Sequence, residues 1–410
     1  MLKSASPLLF PILILAAVAC SSDSNPTHAN PPLAATLEAT GALLPAPSPE
    51  PPTPAPSPAS TSEPTVAPAP SNESSVAPLA RSPVQSPRSV VFPDDEGSHG
   101  DQLEWWYYNG HLSGDDGSEW GFHFVIFQAR QPGLPTAYVG QLGLTDVGSG
   151  DHVEGSVFFL QADAGEGGEL TLRGGDWELV IDESGHRLTG DIGDASLTLS
   201  LVPQRPPALH NEIGWLSGPT GWTYYYSWTR MGAVGSIRAG EAEVQVTGTV
   251  WMDHQWGDFT VPGYPAGWQW FAIQMDNGPD LMLTLNRDED GVEADIWGTY
   301  VEADGNAQAV TEQDHGISIE ELATWTSPHT GGEYPAGWRI VVDSLELDIE
   351  LWPLVDDQEI RATPLTPVVY WEGKVSVTGT RSGRPVSGRA YAELTGYAES
   401  DISIIDFAPP

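Results

Sequence analysis

The sequence predicts an all-β protein with two antiparallel β-barrels in tandem, placed after a disordered proline-rich linker. From Phe92 onward, short runs alternate apolar and polar residues and are rich in Val, Thr, Trp and Tyr, which is typical of β-strands. Gly/Asp/Ser turn signals separate these runs, and a spacing of about 8–12 residues per strand indicates a sandwich or a barrel. No helix of three turns is predicted, and residues 313–323 form at most a short one.

The strands fall into two successive sets. Nine or ten are expected before residue 262 and about eight after it, so we predict an N-terminal barrel over residues 92–262 and a C-terminal barrel over residues 263–410. One large β-sandwich is the alternative. Two barrels are favoured because two such sets exceed the number of strands that a single sandwich usually holds.

The first 91 residues are not expected to belong to either barrel. Residues 1–19 have a weakly basic start and a short apolar run, which predicts a lipoprotein signal peptide with lipidation of Cys20. An ordinary signal peptide with a coincidental cysteine is the alternative. Residues 20–91 are rich in Pro, Ala and Ser and lack aromatic residues, which predicts a disordered linker. The predicted product is an exported lipoprotein, anchored on the extracytoplasmic face of a membrane.

Composition limits the partners. The formal net charge is −40, with 56 acidic and 16 basic residues, which argues against nucleic acid as a partner. Cys20 is the only cysteine of the chain, so no internal disulfide can form.

The central motif is Thr-Val-Trp-Met-Asp-His-Gln-Trp-Gly at 249–257. Side chains of a strand alternate between two faces, so His254 and Trp256 share one face and Asp253 lies on the other. An imidazole beside an indole on one wall is costly to bury unless both have partners or a task. For His254, a catalytic role, a contact with ligand and a structural role in a buried network all stay open.

A second motif, Glu-Trp-Trp-Tyr-Tyr-Asn-Gly-His-Leu at 104–112, carries aromatic residues on both faces. Trp105 and Tyr107 share one face, whereas Glu104 and Trp106 share the other. Such a strand is either an aromatic core strand or the wall of a cavity. Burial beside indoles is expected to raise the pKa of Glu104, which would make it a neutral acid.

These two motifs, followed by Tyr-Ala-Glu-Leu-Thr-Gly-Tyr at 391–397, resemble the family of carotenoid 1,2-hydratase (hydroxyneurosporene synthase, CrtC) and AttH. The resemblance covers residues 92–400. It implies two lipocalin-like barrels packed together, with a cavity for a hydrophobic ligand near their junction. Relatives act on isoprenoid or polyketide molecules, which implies a ligand of that kind.

Hydration of an alkene needs a positioned acid, an apolar cavity and electron-rich faces that stabilise a cation. His254, Trp256 and Glu104 are therefore the candidate catalytic residues, and Asp253 is expected to anchor its strand or the second barrel by hydrogen bonds. The candidate ligand-binding residues are aromatic or acidic and flank the two motifs: Trp105, Trp106, Tyr107, Asp253, Trp268 and Trp270.

One strand departs from the family pattern. The hydratases are expected to carry a Tyr and an Asp on the strand that here reads Leu-Met-Leu-Thr-Leu at 281–285, and the flanking Asp276 and Asp280 are expected to be exposed in a turn. Whether the protein is a hydratase-like enzyme is therefore left open. A non-catalytic carrier of hydrophobic molecules and a surface adhesion or structural module are the alternatives.

Other chemistries have less support in the sequence. A secreted hydrolase is a further alternative, although the sequence shows no nucleophile–base pair. No cofactor and no metal are predicted, because the ten histidines show no metal-ligand spacing.

Overall fold

The computed structural model describes residues 87–131, 133–218, 221–259, 267–276, 278–287, 293–361 and 368–399. The predicted signal peptide, Cys20, the linker up to residue 86 and the predicted boundary between residues 262 and 263 lie outside these ranges. None of the helices in these ranges is long and apolar enough to cross a membrane.

Two large antiparallel sheets make up the described structure. The strands of the first sheet are β1 (Leu103–Gly114), β2 (Glu119–Ala129), β3 (Ala137–Asp146), β4 (Asp151–Leu160), β5 (Leu170–Gly174), β6 (Trp177–Asp182), β7 (Gly185–Asp191), β8 (Ala195–Pro203), β9 (Ala208–Leu209), β10 (Trp215–Gly218), β11 (Gly221–Ala239) and β12 (Ala242–Phe259). They are ordered β4–β3–β2–β1–β12–β11–β8–β7–β6–β5, with β9 and β10 paired to β11.

The strands of the second sheet are β13 (Trp268–Met275), β14 (Asp280–Arg287), β15 (Glu293–Val301), β16 (Ala307–Thr311), β17 (Ile317–Glu321), β20 (Trp338–Val342), β21 (Leu347–Pro353), β22 (Glu359–Ile360), β23 (Tyr370–Arg381) and β24 (Arg384–Thr395). They are ordered β16–β15–β14–β13–β24–β23–β21–β20–β17, with β22 paired to β23. A separate hairpin pairs β18 (Thr324–Thr326) with β19 (Glu333–Pro335).

Helical structure is limited to single turns within the described residues. They are two 3-10 turns, Asp94–Glu96 and Asp343–Leu345, and the α-helix Glu312–His315. Thr311 caps that helix by accepting a hydrogen bond from the backbone N–H of Asp314. The predicted all-β fold with two antiparallel barrels is therefore confirmed, and both barrels are nearly closed.

Each barrel encloses its own apolar core, and a third apolar cluster lies between the two. Strand β1 serves two of these cores, since Trp106 and Tyr108 point into the first barrel while Tyr107 packs in the cluster between the barrels. Because its side chains alternate between two faces as predicted, β1 contributes both to the core of the first barrel and to the cluster between the barrels.

The segment that precedes β1 packs on the first barrel. Val90 is buried and its N–H donates to the carbonyl of Ile213, and the ring of Phe92 meets that of Tyr226 edge to face. The chain therefore contacts the barrel two residues before the predicted start of the domain at residue 92.

Candidate functional site

Two clusters of polar side chains lie on opposite faces of β12. His254 and Trp256 point into the core of the first barrel, whereas Trp251 packs in the cluster between the barrels and donates a hydrogen bond from its indole to Asp253. We define the interior cluster as His99, Glu104, His254 and Trp256. We define the junction cluster as Tyr225, Ser227, Asp253, Glu372 and Glu393.

The centre of the interior cluster is a contact between Glu104 and His254. Antiparallel pairing of β1 with β12 places Trp106 opposite His254, and brings Glu104 Oε1 to 2.8 Å from His254 Nε2. His254 Nδ1 lies 3.2 Å from the hydroxyl of Tyr226. Both side chains of the Glu104–His254 pair are wholly buried, so both nitrogens of His254 are engaged within the protein.

His99 completes the interior cluster and was not predicted. Its Nδ1 lies 2.7 Å from Glu104 Oε1, its backbone N–H donates to Glu104 Oε2 at 2.8 Å, and its Nε2 lies 3.3 Å from Asp95 Oδ1. His99 precedes β1 in a stretch without periodicity, so the sequence holds no signal that would place its ring over the end of the barrel.

The ionisation of the interior cluster differs from the expectation. Burial favours the neutral form of Glu104, but hydrogen bonds from His254 and His99 outweigh it and lower the pKa of Glu104. Burial also opposes the charge on His99, yet its hydrogen bonds to Asp95 and Glu104 raise the pKa of His99 to about 9. Burial lowers the pKa of His254. Glu104 is thus a carboxylate neutralised by a histidinium, not the neutral acid that the sequence suggested.

The same three residues form the group best placed to hold a metal ion among the described residues. The ligand atoms of His99, Glu104 and His254 lie within 4.8 Å of one another. Hydrogen bonds between these atoms already satisfy each of them. We therefore assign no metal to the cluster, and the predicted absence of a metal stays a prediction.

In the junction cluster, Asp253 is held by three donors. The hydroxyls of Tyr225 and Ser227 donate to its two oxygens, and the indole of Trp251 donates to Oδ1 at 2.6 Å. Burial raises the pKa of Asp253 to about 6, although these hydrogen bonds oppose the rise. Asp253 is therefore the carboxyl group of β12 that can change its charge near neutral pH.

Glu372 and Glu393 lie opposite each other on β23 and β24. The hydroxyl of Tyr107, from the first barrel, donates to Glu372 Oε1 at 2.6 Å. Burial raises the pKa of Glu372 well above its usual range, and Glu393 raises it further. Burial and the nearby Asp253 raise the pKa of Glu393 to about 7, while a hydrogen bond from Trp268 opposes the rise. Adjacent carboxyls that cannot both ionise readily are one way in which proteins keep an acid protonated near neutrality.

Aromatic side chains border these carboxyls. Trp270 donates from its indole to the hydroxyl of Tyr225 at 3.2 Å and meets the ring of Tyr107 edge to face at 5.5 Å. Trp105, Trp268 and Glu393 keep partial solvent exposure. Partly exposed indoles and a protonatable carboxyl are therefore found together at the junction.

The structure divides the predicted site residues between the two clusters. The residues that face the junction are Trp105, Tyr107, Asp253, Trp268 and Trp270. The residues inside the first barrel are Glu104, Trp106, His254 and Trp256. Asp253 also makes the anchoring hydrogen bonds expected of it. Glu372, His210 and Ser227 were missed, and only the pairing of distant strands reveals them.

One expectation about β14 is wrong. Asp280 is wholly buried instead of exposed, because Arg205 and Arg230 of the first barrel pair with it at 2.7 and 2.8 Å. Asp276 is exposed, as expected. The ionic contact at Asp280 therefore joins the two barrels at the first residue of β14.

Solved structures share this architecture. The chain is 30% identical to a candidate AttH from Nitrosomonas europaea, with a TM-score of 0.70 over 78% of this chain and 100% of that one. Kievitone hydratase from Nectria haematococca gives 13% identity and a TM-score of 0.62 over 75% and 93% of the two chains. CghA gives 14% identity and a TM-score of 0.50 over 78% and 96%. The last two likenesses show the fold alone.

No curated protein matches the chain. The model of the family described as AttH-like matches residues 83–397, which include both barrels and all three sequence motifs. The chain therefore belongs to the AttH-like family.

Proposed function

We propose that this protein binds a hydrophobic small molecule of the isoprenoid or polyketide class at the junction of the barrels, and adds or removes water by acid–base chemistry. The observation that carries the proposal is the group of carboxyls formed by the buried Asp253 and Glu372 and the partly exposed Glu393, beside partly exposed tryptophans. No cation contributes to the pKa of any of the three among the described residues, so their charge is not neutralised by an ion pair. The hydratase named among the similar structures supports this choice of reaction.

The proposed reaction uses two carboxyls. The protonated carboxyl of Glu393 gives its proton to one alkene carbon, so that its O–H bond breaks, a C–H bond forms and a carbocation results. The indole faces of Trp105 and Trp268 stabilise that cation. Water then forms the C–O bond, and its proton passes to the carboxylate of Asp253. With pKa values of about 6 for Asp253 and about 7 for Glu393, both groups hold the required charge between about pH 6 and 7.

The interior cluster has a different task in this proposal. His254, Trp256 and Glu104 fix β12 and β1, and thereby hold Asp253 and Trp105 in place on the opposite face. The engagement of both His254 nitrogens supports this role. A direct catalytic role for His254, Trp256 and Glu104 stays a prediction, and the experiment below distinguishes the two.

The test incubates the purified protein with a set of unsaturated isoprenoid alcohols in ¹⁸O-labelled water and follows the products by mass spectrometry. We expect a product that carries one labelled oxygen. Glu393→Gln is expected to lower its rate of formation by about 10²–10⁴-fold, because the proton donor is lost. Binding of the neutral apolar dye Nile red should persist in this variant.

Two further variants complete the comparison. The exposed Glu350→Gln serves as the matched control and should leave the rate unchanged. His254→Gln, if folded, should retain most of the turnover. Equal rates for Glu393→Gln and the wild type would refute Glu393 as the proton donor. Loss of turnover in a folded His254→Gln variant would instead assign the catalytic role to the interior cluster.

A non-catalytic carrier is the second candidate. It is favoured by β14, where the buried Met282 is part of the apolar cluster between the barrels and the strand presents no Tyr. The carrier predicts that a co-purified apolar molecule is recovered chemically unchanged after long incubation in labelled water. An altered molecule would exclude it.

We also propose that the protein is exported and anchored through an acyl chain on Cys20. The support is the sequence of residues 1–20 alone. Metabolic labelling with palmitate, compared between wild type and Cys20→Ala, tests it. An equal label in both would refute the anchor.

A further inference from the structure

Ser227 lies between two side chains that can exchange protons. Its Oγ is 2.5 Å from Asp253 Oδ1 and 2.8 Å from His210 Nε2. His210 Nδ1 is in turn 2.8 Å from the hydroxyl of Thr299. All four side chains are buried, with exposed fractions of 0% for Ser227 and His210, 1% for Thr299 and 3% for Asp253. The result is a continuous chain of hydrogen bonds that begins at Asp253 and ends in the second barrel.

The strands hold this chain in place. Ser227 pairs with Asp253 across β11 and β12, and β9 pairs with β11 just before His210. The imidazole of His210 packs on the ring of Tyr225 at 3.9 Å. Thr299 comes from β15, so the contact to His210 exists only when the barrels are docked. Neither His210 nor Ser227 has a part in the acid–base steps described above.

The direction of the hydrogen bonds follows from counting protons. A hydroxyl has one hydrogen, and a carboxylate only accepts. When Asp253 is ionised, Ser227 donates to it, so Ser227 accepts from an Nε2–H of His210, and Nδ1 accepts from Thr299. When Oδ1 of Asp253 carries a proton, every bond can reverse, and His210 then holds its hydrogen on Nδ1.

His210 is suited to such a reversal. Burial lowers its pKa to about 3, so the ring is neutral over the working range and has two tautomers available. Each tautomer donates from one nitrogen and accepts at the other. The ring can therefore change between donating to Ser227 and donating to Thr299 without holding a charge.

We propose that Ser227 and His210 form a hydrogen-bond relay that couples the charge of Asp253 to the contact between the barrels, so that the hydrogen bond between His210 and Thr299 reverses when Asp253 gains or loses a proton. With Asp253 ionised, Thr299 donates to His210 Nδ1, His210 Nε2 donates to Ser227, and Ser227 donates to Asp253. With Asp253 protonated, Asp253 donates to Ser227, Ser227 donates to His210 Nε2, and His210 Nδ1 donates to Thr299. The second state holds one hydrogen more than the first, which is the one that Asp253 has gained. Ser227 and His210 are positioning residues, and the catalytic use of Asp253 rests on the proposed function.

Other groups that face Asp253 could also change the pH dependence of the relay, so the test must distinguish their effects. They are Tyr225 on β11, Trp251 on its own strand, Tyr107 on β1, Trp270 on β13 and Glu393 on β24. Of these, Glu393 titrates in the same pH range. The test therefore uses a Glu393→Gln background.

The test reads the tautomer of His210 by ¹⁵N NMR of histidine-labelled protein, with the signal assigned by its absence in His210→Gln. We expect the Nε2–H tautomer at pH 8 and a shift to the Nδ1–H tautomer as the pH falls to 5. Asp253→Asn and Ser227→Ala should abolish the pH dependence, whereas Ser227→Thr, which keeps the hydroxyl, should retain it. A tautomer that stays constant with pH, or one that still shifts in Ser227→Ala, would overturn the relay.

This readout needs no substrate, so a failed hydration assay leaves it standing. If hydration is found, Ser227→Ala should lower kcat by about 10-fold or more with an unchanged KM, because Asp253 acts after binding and would lose the hydrogen bond that Ser227 donates to its carboxylate. Ser227→Thr should restore kcat. A change in KM alone would assign Ser227 to binding instead of the relay.

Discussion

The indole of Trp256 lies flat on the imidazole of His99, with 4.0 Å between ring centroids and 5° between ring planes. His99 is also held by Asp95 and Glu104, and Asp95 in turn by two contacts from Arg88. These contacts fasten the segment before β1 to the end of the first barrel. The tryptophan of the central motif thus packs against a residue more than 150 positions away, and the consequences for stability can be measured.

Replacement of His99 by Gln is expected to destabilise the protein by about 3 kcal/mol, because Glu104 would remain buried without its cationic partner. Urea unfolding followed by tryptophan fluorescence measures the change. The matched control is His329→Gln, whose partner Asp357 and own ring are both exposed. It should change the free energy of unfolding by less than about 0.5 kcal/mol. Equal effects of the two substitutions would contradict the role of His99.

His99 also predicts a loss of stability at alkaline pH. Its pKa is about 9 in the folded protein, above the usual 6.5, so its stabilising contribution is complete below about pH 6.5 and is lost as the pH rises through about 9. The free energy of unfolding of the wild type should therefore fall between pH 7 and 10. His99→Gln should show a smaller fall over the same range, and parallel curves would exclude His99 as the source.

Asp280→Asn tests the ionic contact between the barrels. The substitution leaves Arg205 and Arg230 facing each other without a carboxylate, which is expected to cost about 3–5 kcal/mol. Asp348→Asn removes a comparable Arg–Asp pair on the surface and should cost less than about 1 kcal/mol. Urea unfolding measures the loss of stability in both variants. Equal losses would show that burial does not make the Asp280 contact more important than the surface pair.

Glu393→Gln should stabilise the protein at pH 8. The folded protein favours the protonated form of Glu393, since its pKa is about 7 compared with the usual 4.5. The free energy of unfolding therefore falls as the pH rises from about 4.5 to 7, and the uncharged Gln avoids that loss. We expect a gain of at least about 1 kcal/mol at pH 8 and little difference at pH 4.5. A lower stability of the variant at both pH values would show that the carboxyl is ionised in the fold.

His123→Leu should leave the stability unchanged or increase it by about 1 kcal/mol. His123 is wholly buried, and neither ring nitrogen has a hydrogen-bond partner among the described residues. An apolar side chain of similar size avoids the cost of burying those nitrogens. A loss of more than 1 kcal/mol in thermal or urea unfolding would instead reveal a partner for His123, such as a bridging water.

The alternation of β1 and β12 made part of the site predictable. It correctly placed His254 with Trp256, Glu104 with Trp106, and Asp253 on the opposite face. The number and spacing of the strand-like runs predicted that two barrels follow each other in the chain, because strand length and turn signals are local properties of the sequence.

Contacts between distant segments could not be predicted in this way. Tyr107 and Glu372 are separated by 265 residues, and His99 lies in a stretch whose conformation no pattern specifies. The lowered pKa of Glu104 depends on His254 and His99, and the burial of Asp280 depends on two arginines of the other barrel. Electrostatic partners of this kind appear only once both barrels have closed.

Strand β1 carries two different surfaces that alternate residue by residue, one inside the first barrel and one in the junction between the barrels. Insertion of a single amino acid in β1 would turn every side chain on one side of the insertion to the opposite face of the strand. Side chains that belong inside the barrel would then lie in the junction, and side chains of the junction would lie inside the barrel. Random insertion mutagenesis should therefore find this strand among the least tolerant segments, whereas the exposed turn at residues 115–117 should accept extra residues freely. Either surface of β1 can consequently be altered only by substitutions at alternate positions.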